Sequence, residues 1–232
     1  MSGLDGDNSK ILETRTYAEV LGTKIETQQN GTWVRCGYVS RVLCTRWEIH
    51  PRGKLRKFKN KMLVPGVVDV GGYLIIKPKV GPILESGCRR SRTVSLHRMS
   101  LETFYPQPHP SLECDHRDAI RTNYDIFNLR WVSRCLNVTF QNHRGWQRAW
   151  RPTLKKWRYR VRFRDKNYPW KYDTQEQARD EYLYIRAVWI RQERERIIKL
   201  VMSHNNVSRL SAIRMLNWDH RDDVFFLCEL NE

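Results

Sequence analysis

Leu112-Glu113-Cys114-Asp115-His116-Arg117-Asp118 and Asn128-Leu129-Arg130-Trp131-Val132-Ser133 are the two runs on which the reading of this chain turns. Leu112–His116 reads as a short strand, residues 117–127 as an irregular loop, and Asn128–Val132 as a return strand. Ser133 is suited to capping a helix that runs to about Asn142. Asp115 ends the first strand and Asn137 lies one turn into the helix. A hairpin packed on that helix would bring the two side chains together. A carboxylate and an amide oxygen are hard ligands that suit Mg²⁺, or another divalent cation such as Mn²⁺, with water and phosphate oxygens filling the other positions. His116 points to the opposite side of the strand, where an imidazole can deprotonate an attacking water.

The surrounding composition says what such a site would act on. The chain has 232 residues, nine tryptophans and a net charge of +17, with 40% hydrophobic residues. That is enough apolar and aromatic material to bury cores, so a folded protein with a basic surface is expected. The charge is uneven. Residues 31–93 carry +11 and residues 141–203 carry +10, whereas 94–140 are neutral and both 1–30 and 204–232 carry −2. Two basic blocks around a neutral middle suggest surfaces that hold a polyanion and a centre that acts on it. No apolar run approaches a membrane span, and the polar start with Asp5, Asp7 and Glu13 does not resemble a signal peptide. Six cysteines at 36, 44, 88, 114, 135 and 228 form no CxxC pair, so reduced thiols and an intracellular setting are expected, with the compartment open.

In the second basic block, Trp157-Arg158-Tyr159-Arg160-Val161-Arg162-Phe163-Arg164 alternates without a break. As a strand it would put Trp157, Tyr159, Val161 and Phe163 on one face and four arginines on the other, roughly 6–7 Å apart. Four guanidiniums with no acidic residue among them fit a phosphate backbone or guanine edges. Asp165-Lys166-Asn167 reads as a turn, and Thr174-Gln175-Glu176-Gln177 as a capping box opening a helix. Ala178, Tyr182, Ile185 and Trp189 make a stripe that would pack on the apolar strand face. Arg191–Arg196 read as a solvated continuation, and residues 205–217 as a further short helix.

In the first basic block, Trp33 onward reads as short strands and turns. Pro51-Arg52-Gly53 is a turn, and Arg56, Lys57, Lys59 and Lys61 are interleaved with Leu55 and Phe58. Tyr73–Lys77 is a strand, residues 81–92 a loop, and Val94–Phe104 a helix ended by Pro106-Gln107-Pro108-His109-Pro110. Thr16–Leu21 reads as a short helix in an N-terminal arm.

Asp115, His116, Asp118, Asn123, Asn128, Leu129, Trp131, Val132 and Asn137 together resemble the HNH nucleases, closest to the phage and intron-encoded homing endonucleases. The resemblance implies a ββα-metal fold with His116 as general base and Asp115 and Asn137 as metal ligands. It also implies that Asn128 orients the histidine through the hairpin backbone, with His97, Asp118 and Asn123 in support. Two positions depart from the family's pattern: Ala119 stands where a loop glycine is usual, and Tyr124 replaces the second Asn of a pair. Trp47–Arg56 with Gly72-Tyr73-Leu74 is similar to the N-terminal modular element of such enzymes. The Trp157–Trp189 segment resembles an ethylene-response-factor type of DNA-binding domain.

The fold expected is α+β, built of small modules. These are an arm at 1–30, a basic β-rich element at 31–92, an HNH ββα-metal domain at 93–143, a three-stranded sheet with a long helix at 144–203, and a helical tail at 204–232. The function expected is a Mg²⁺-dependent DNA endonuclease, a nickase when monomeric and a double-strand cutter when dimeric. The alternative is a catalytically inactive nucleic-acid-binding protein built from the same parts. Double-stranded DNA is the expected partner, and charge alone leaves RNA open.

Overall fold

The structure is a computed structural model that describes residues 33–40, 42–83, 89–140 and 145–219. The expected helix at Thr16–Leu21, Cys88, Cys228 and the last thirteen residues of the tail lie outside them. Helix and sheet are mixed, as the α+β expectation requires, in two compact units. The first comprises residues up to Pro106 together with His116–Arg130, and the second Gln107–Asp115 together with Trp131 onward.

The first unit contains β1 (Val34–Arg35), β2 (Tyr38–Val39), β3 (Val42–Leu43), β4 (Trp47–His50), β5 (Lys54–Lys57), β6 (Val67–Val68), β7 (Leu74–Ile76), β8 (Lys79–Ile83), β9 (Arg89–Ser91), β10 (Val94–Ser95) and α1 (Leu96–Phe104). Two three-stranded sheets, β1-β4-β5 and β10-β7-β6, stand beside the pairs β2-β3 and β8-β9. The strands at 79–83 and 89–91 correct the reading of 81–92 as a loop. Lys79 faces Ser91 and Val80 faces Arg90, and the register then slips before Ile83 meets Arg89. That bulge hides the period-two signal. Helix α1 starts two residues later than the expected Val94–Phe104, because Val94 and Ser95 pair with β7 as β10. It buries Leu96, Met99, Leu101 and Phe104, with Ile49, Leu55, Ile75 and Val94 also in the core of this unit.

The Pro51-Arg52-Gly53 turn does more than join β4 to β5. Gly53 has φ +65°, and a Cβ on it would come within 2.9 Å of the Asp125 backbone nitrogen. The Ile126 N–H donates to the Pro51 carbonyl at 2.9 Å. Glycine is therefore required both by its left-handed backbone and by the close approach of the loop that follows His116.

The hairpin itself is β11 (Leu112–His116) paired with β12 (Leu129–Ser133), with a 3₁₀ turn at Ile126–Asn128 before the return. In the second unit, α2 (Arg134–Phe140) follows, and the Leu136 N–H donates to the Ser133 hydroxyl at 3.2 Å, the expected cap. Then come β13 (Trp146–Arg151), β14 (Lys156–Phe163), β15 (Lys166–Asn167), α3 (Gln175–Asn205) and α4 (Arg209–Met215).

Strands β13-β14-β15 form an antiparallel sheet, and α3 opens with the full capping box of Thr174 and Gln177. Val161, Phe163, Tyr172, Ala178 and Tyr182 make the core between them, with Ile185 and Trp189 packed against it. Gly145 leads into β13, where any Cβ would overlap the Tyr182 ring. The Trp131 N–H donates to the Leu216 carbonyl at 3.0 Å, and the Trp218 indole donates to the Trp131 carbonyl at 2.9 Å, so the C-terminal residues hold β12. Among the described residues, no helix is long and apolar enough to cross a membrane.

Candidate active site and nucleic-acid interface

The loop between β11 and β12 is closed by a carboxylate and two amides. Asp118 accepts from the Ile120 N–H at 2.8 Å, from Asn123 Nδ2 at 2.6 Å and from Asn128 Nδ2 at 2.9 Å. Asn128 also accepts the Asp118 N–H on Oδ1 at 3.1 Å and donates to the Asn123 carbonyl at 3.1 Å. Its own carbonyl takes the Arg117 N–H at 2.8 Å, directly after His116. Burial alone would push the Asp118 carboxyl up. The three hydrogen bonds and the nearby His116 more than offset that and hold it below the usual carboxylate range. Asp118, Asn123 and Asn128 are thus brought together, and they fix the backbone on which His116 sits.

Ala119 adopts φ +58°. The alanine accepts a left-handed backbone that a glycine would adopt more cheaply.

His116 is buried, and its Nε2 has no hydrogen-bond partner within the protein. Its ring lies 4.9 Å from that of His97 and 5.9 Å from that of Tyr73. Arg121 spans the same corner, donating to the Gly71 carbonyl at 2.7 Å. Burial lowers the His116 pKa; Asp118 opposes the shift and Arg121 adds to it. His97 is pushed further, to about 3, by burial first, then by His116 and Arg98, with Asp69 opposing. Both rings are neutral at neutral pH, the state in which an imidazole nitrogen can accept a proton.

On the other part of β11, Glu113 and Asp115 share a face because strand residues alternate. The Asn137 amide donates to Glu113 Oε2 at 3.2 Å, which puts Asn137 on the Glu113–Asp115 side of the strand. Glu113 was not among the sequence candidates, although the period-two rule marks it as the side-chain neighbour of Asp115. Among the described residues, no group of three or more His, Cys, Asp or Glu side chains could hold a metal ion. The donors here are an amide oxygen and carboxylates, and Mg²⁺ binds through one or two carboxylates while keeping several waters. The residues present fit that sparse mode of binding.

The arginine face differs in detail from its expectation. Arg158 is paired with Asp173 at 2.5 Å and donates to the Lys171 carbonyl at 2.8 Å, so an acidic partner exists fifteen residues along the chain. Arg160 is held by Gln147 Oε1 at 2.8 and 3.0 Å and lies 4.5 Å over the Trp170 ring. Arg162 projects into solvent. Arg164 leaves the row altogether. At φ +53° it turns out of the strand, and its guanidinium lies 4.5 Å over Trp189 on the helix side.

In the first unit, Arg56 and Lys61 both grip the buried Glu48, at 2.6 and 3.0 Å, while Lys57 and Lys59 are exposed. Arg56 also lies over Trp33 at 4.1 Å.

The sequence matches no described protein family, and no curated protein matches it. Among solved structures, the chain is similar to one described as DNA binding and cleavage by the HNH homing endonuclease I-HmuI. The TM-score is 0.36 and the identity 22%, over 45% of this chain and 55% of that one.

Proposed function

We propose that the chain is a divalent-metal-dependent DNA endonuclease of the HNH homing type that nicks one strand as a monomer. The observation that carries this reading is the hairpin and its helix: a strand ending in Asp115-His116, a return strand, and a Ser133-capped helix whose Asn137 faces the Glu113–Asp115 side.

In this reading His116 is the general base. Its neutral ring takes the proton from water as the oxygen attacks a phosphodiester. Asn128 is a positioning residue, acting through the backbone after His116 and through Asp118. Asp115 and Asn137 would hold Mg²⁺ or Mn²⁺, which would supply positive charge to the phosphate and the leaving oxygen. His97 lines the back of His116 and keeps water from that side of the ring.

Exposed Lys57, Lys59 and Arg162, with the oriented Arg160, suit phosphate and base-edge contacts to duplex DNA. Arg56, Lys61, Arg158 and Arg164 already have partners within their own units, so they are not the leading contacts.

The test is a Mn²⁺ titration of the duplex-bound protein followed by electron paramagnetic resonance. One bound ion per chain is expected, lost in Asp115→Ala and in Asn137→Ala while duplex binding persists. DNA binding with no bound ion in the wild type would overturn the metal assignment and favour the inactive nucleic-acid-binding alternative.

A further inference from the structure

The two faces of the β13–β14 ladder end differently. Trp146 is paired with Val161, Arg148 with Tyr159 and Trp150 with Trp157, so these six side chains share the face on which α3 packs. Near α3 that face is covered: Val161 is fully buried and Tyr182 lies against Trp146 and Phe163. At the hairpin end it is open. Trp150 is 48% exposed, Trp157 47% and Leu154 54%. The indoles of Trp150 and Trp157 meet edge to face at 5.8 Å, and the Arg148 guanidinium lies 4.9 Å over Trp157.

The open end is also cationic. Residues 146–164 contain no acidic residue. Arg148 lies over Trp157, and Lys155 is exposed in the turn between the two strands. Arg151, over Trp170, and Lys156, paired with Asp173 beside Arg158, belong to the opposite face. Contiguous exposed indoles on a folded domain mark a binding surface more often than chance exposure.

Two requirements then identify the occupant. The cationic rim calls for an anion, and the indole faces call for a flat apolar partner. Duplex DNA supplies phosphates but hides its base faces in the stack. An unpaired nucleotide supplies both, and base–aromatic stacking with a cationic groove is how single strands are held.

We propose that Trp150 and Trp157, with Arg148, form a binding site for single-stranded DNA, distinct from the arginine face of the same sheet. The site stands whether or not the chain cuts DNA. The three apolar side chains are too small a patch to hold the chain on a lipid surface, so a membrane is the losing alternative.

The experiment is fluorescence anisotropy with the full chain at one fixed salt concentration, comparing a labelled oligo-dT with a labelled hairpin duplex. The Trp150→Ala/Trp157→Ala variant is expected to lose about tenfold to a hundredfold in single-strand affinity, since stacking contributes of that order per base. Its duplex affinity should change less than twofold.

Photocrosslinking of wild-type protein to an oligo-dT carrying 5-iododeoxyuridine, mapped by mass spectrometry, gives a readout that needs no variant. Crosslinks at Trp150 or Trp157 are expected. Equal losses on both DNAs, crosslinks elsewhere only, or stronger binding to phosphatidylserine vesicles than to oligo-dT would each overturn the proposal.

Discussion

The buried His97 ring makes stability depend on pH in a defined direction. In the unfolded chain a histidine titrates near 6.5, while in the folded protein His97 titrates at about 3. Its contribution is complete above pH 6.5 and falls away as the pH drops toward 3, because only the unfolded chain takes up the proton. Between pH 6.5 and 5 the loss is about 1–2 kcal/mol. His116 is shifted in the same direction and adds to it. Urea unfolding at pH 7 and pH 5 should therefore show a smaller loss in His97→Gln than in the wild type. An unchanged pH dependence in the variant would remove His97 as its source.

At this scale much of the loop was legible, because Asp118, Asn123 and Asn128 lie within eleven residues and their bonds are local. The departure of Arg164 was not legible. Nothing in Phe163-Arg164-Asp165 announces a positive φ, and the Asp173 partner of Arg158 depends on a fold that brings distant residues together.

At the scale of elements, Glu193 joins α3 to α2. It is 8% exposed, accepts the Ser133 hydroxyl at 2.6 Å and holds Arg196 through both oxygens, at 2.7 and 2.8 Å. Burial alone would raise its pKa, but Arg196 and Ser133 bring it below the ordinary value. The same hydroxyl caps the helix that carries Asn137. Glu193→Ala leaves the hydroxyl and a guanidinium without their acceptor and is expected to cost about 2 kcal/mol, read by urea denaturation. A cost below 0.5 kcal/mol, the usual range for a surface substitution, would contradict this account.

Arg191–Arg196 is not wholly the solvated face that its charges suggest. Five of those six residues do meet solvent to some degree, while Glu193 turns inward with Ile190 and Ile197, three and four positions away on the same side of the helix. Buried acids look the same as exposed ones until a partner is known. The hairpin, α1 and the β14 strand were legible because each has a clean period or an obvious terminator. The β8-β9 pair was not, since its bulge breaks the period.

For the molecule as a whole, charge is the property the sequence conveys most directly. The two basic blocks fall on opposite sides of the hairpin in the chain, one in the β-rich first unit and one in the sheet and long helix of the second. What composition could not convey is how much of that charge is already engaged. Glu48, Gln147, Asp173 and several aromatic rings occupy arginines and lysines that counted fully in the sum.

The central claim is that a nuclease centre sits in the neutral segment between these blocks. The most direct test is conversion of supercoiled plasmid to open circles in Mg²⁺, comparing the wild type with His116→Ala. The account predicts nicking by the wild type, none by the variant, and equal DNA binding by both. Nicking by both proteins alike, or by neither while both bind, would contradict it.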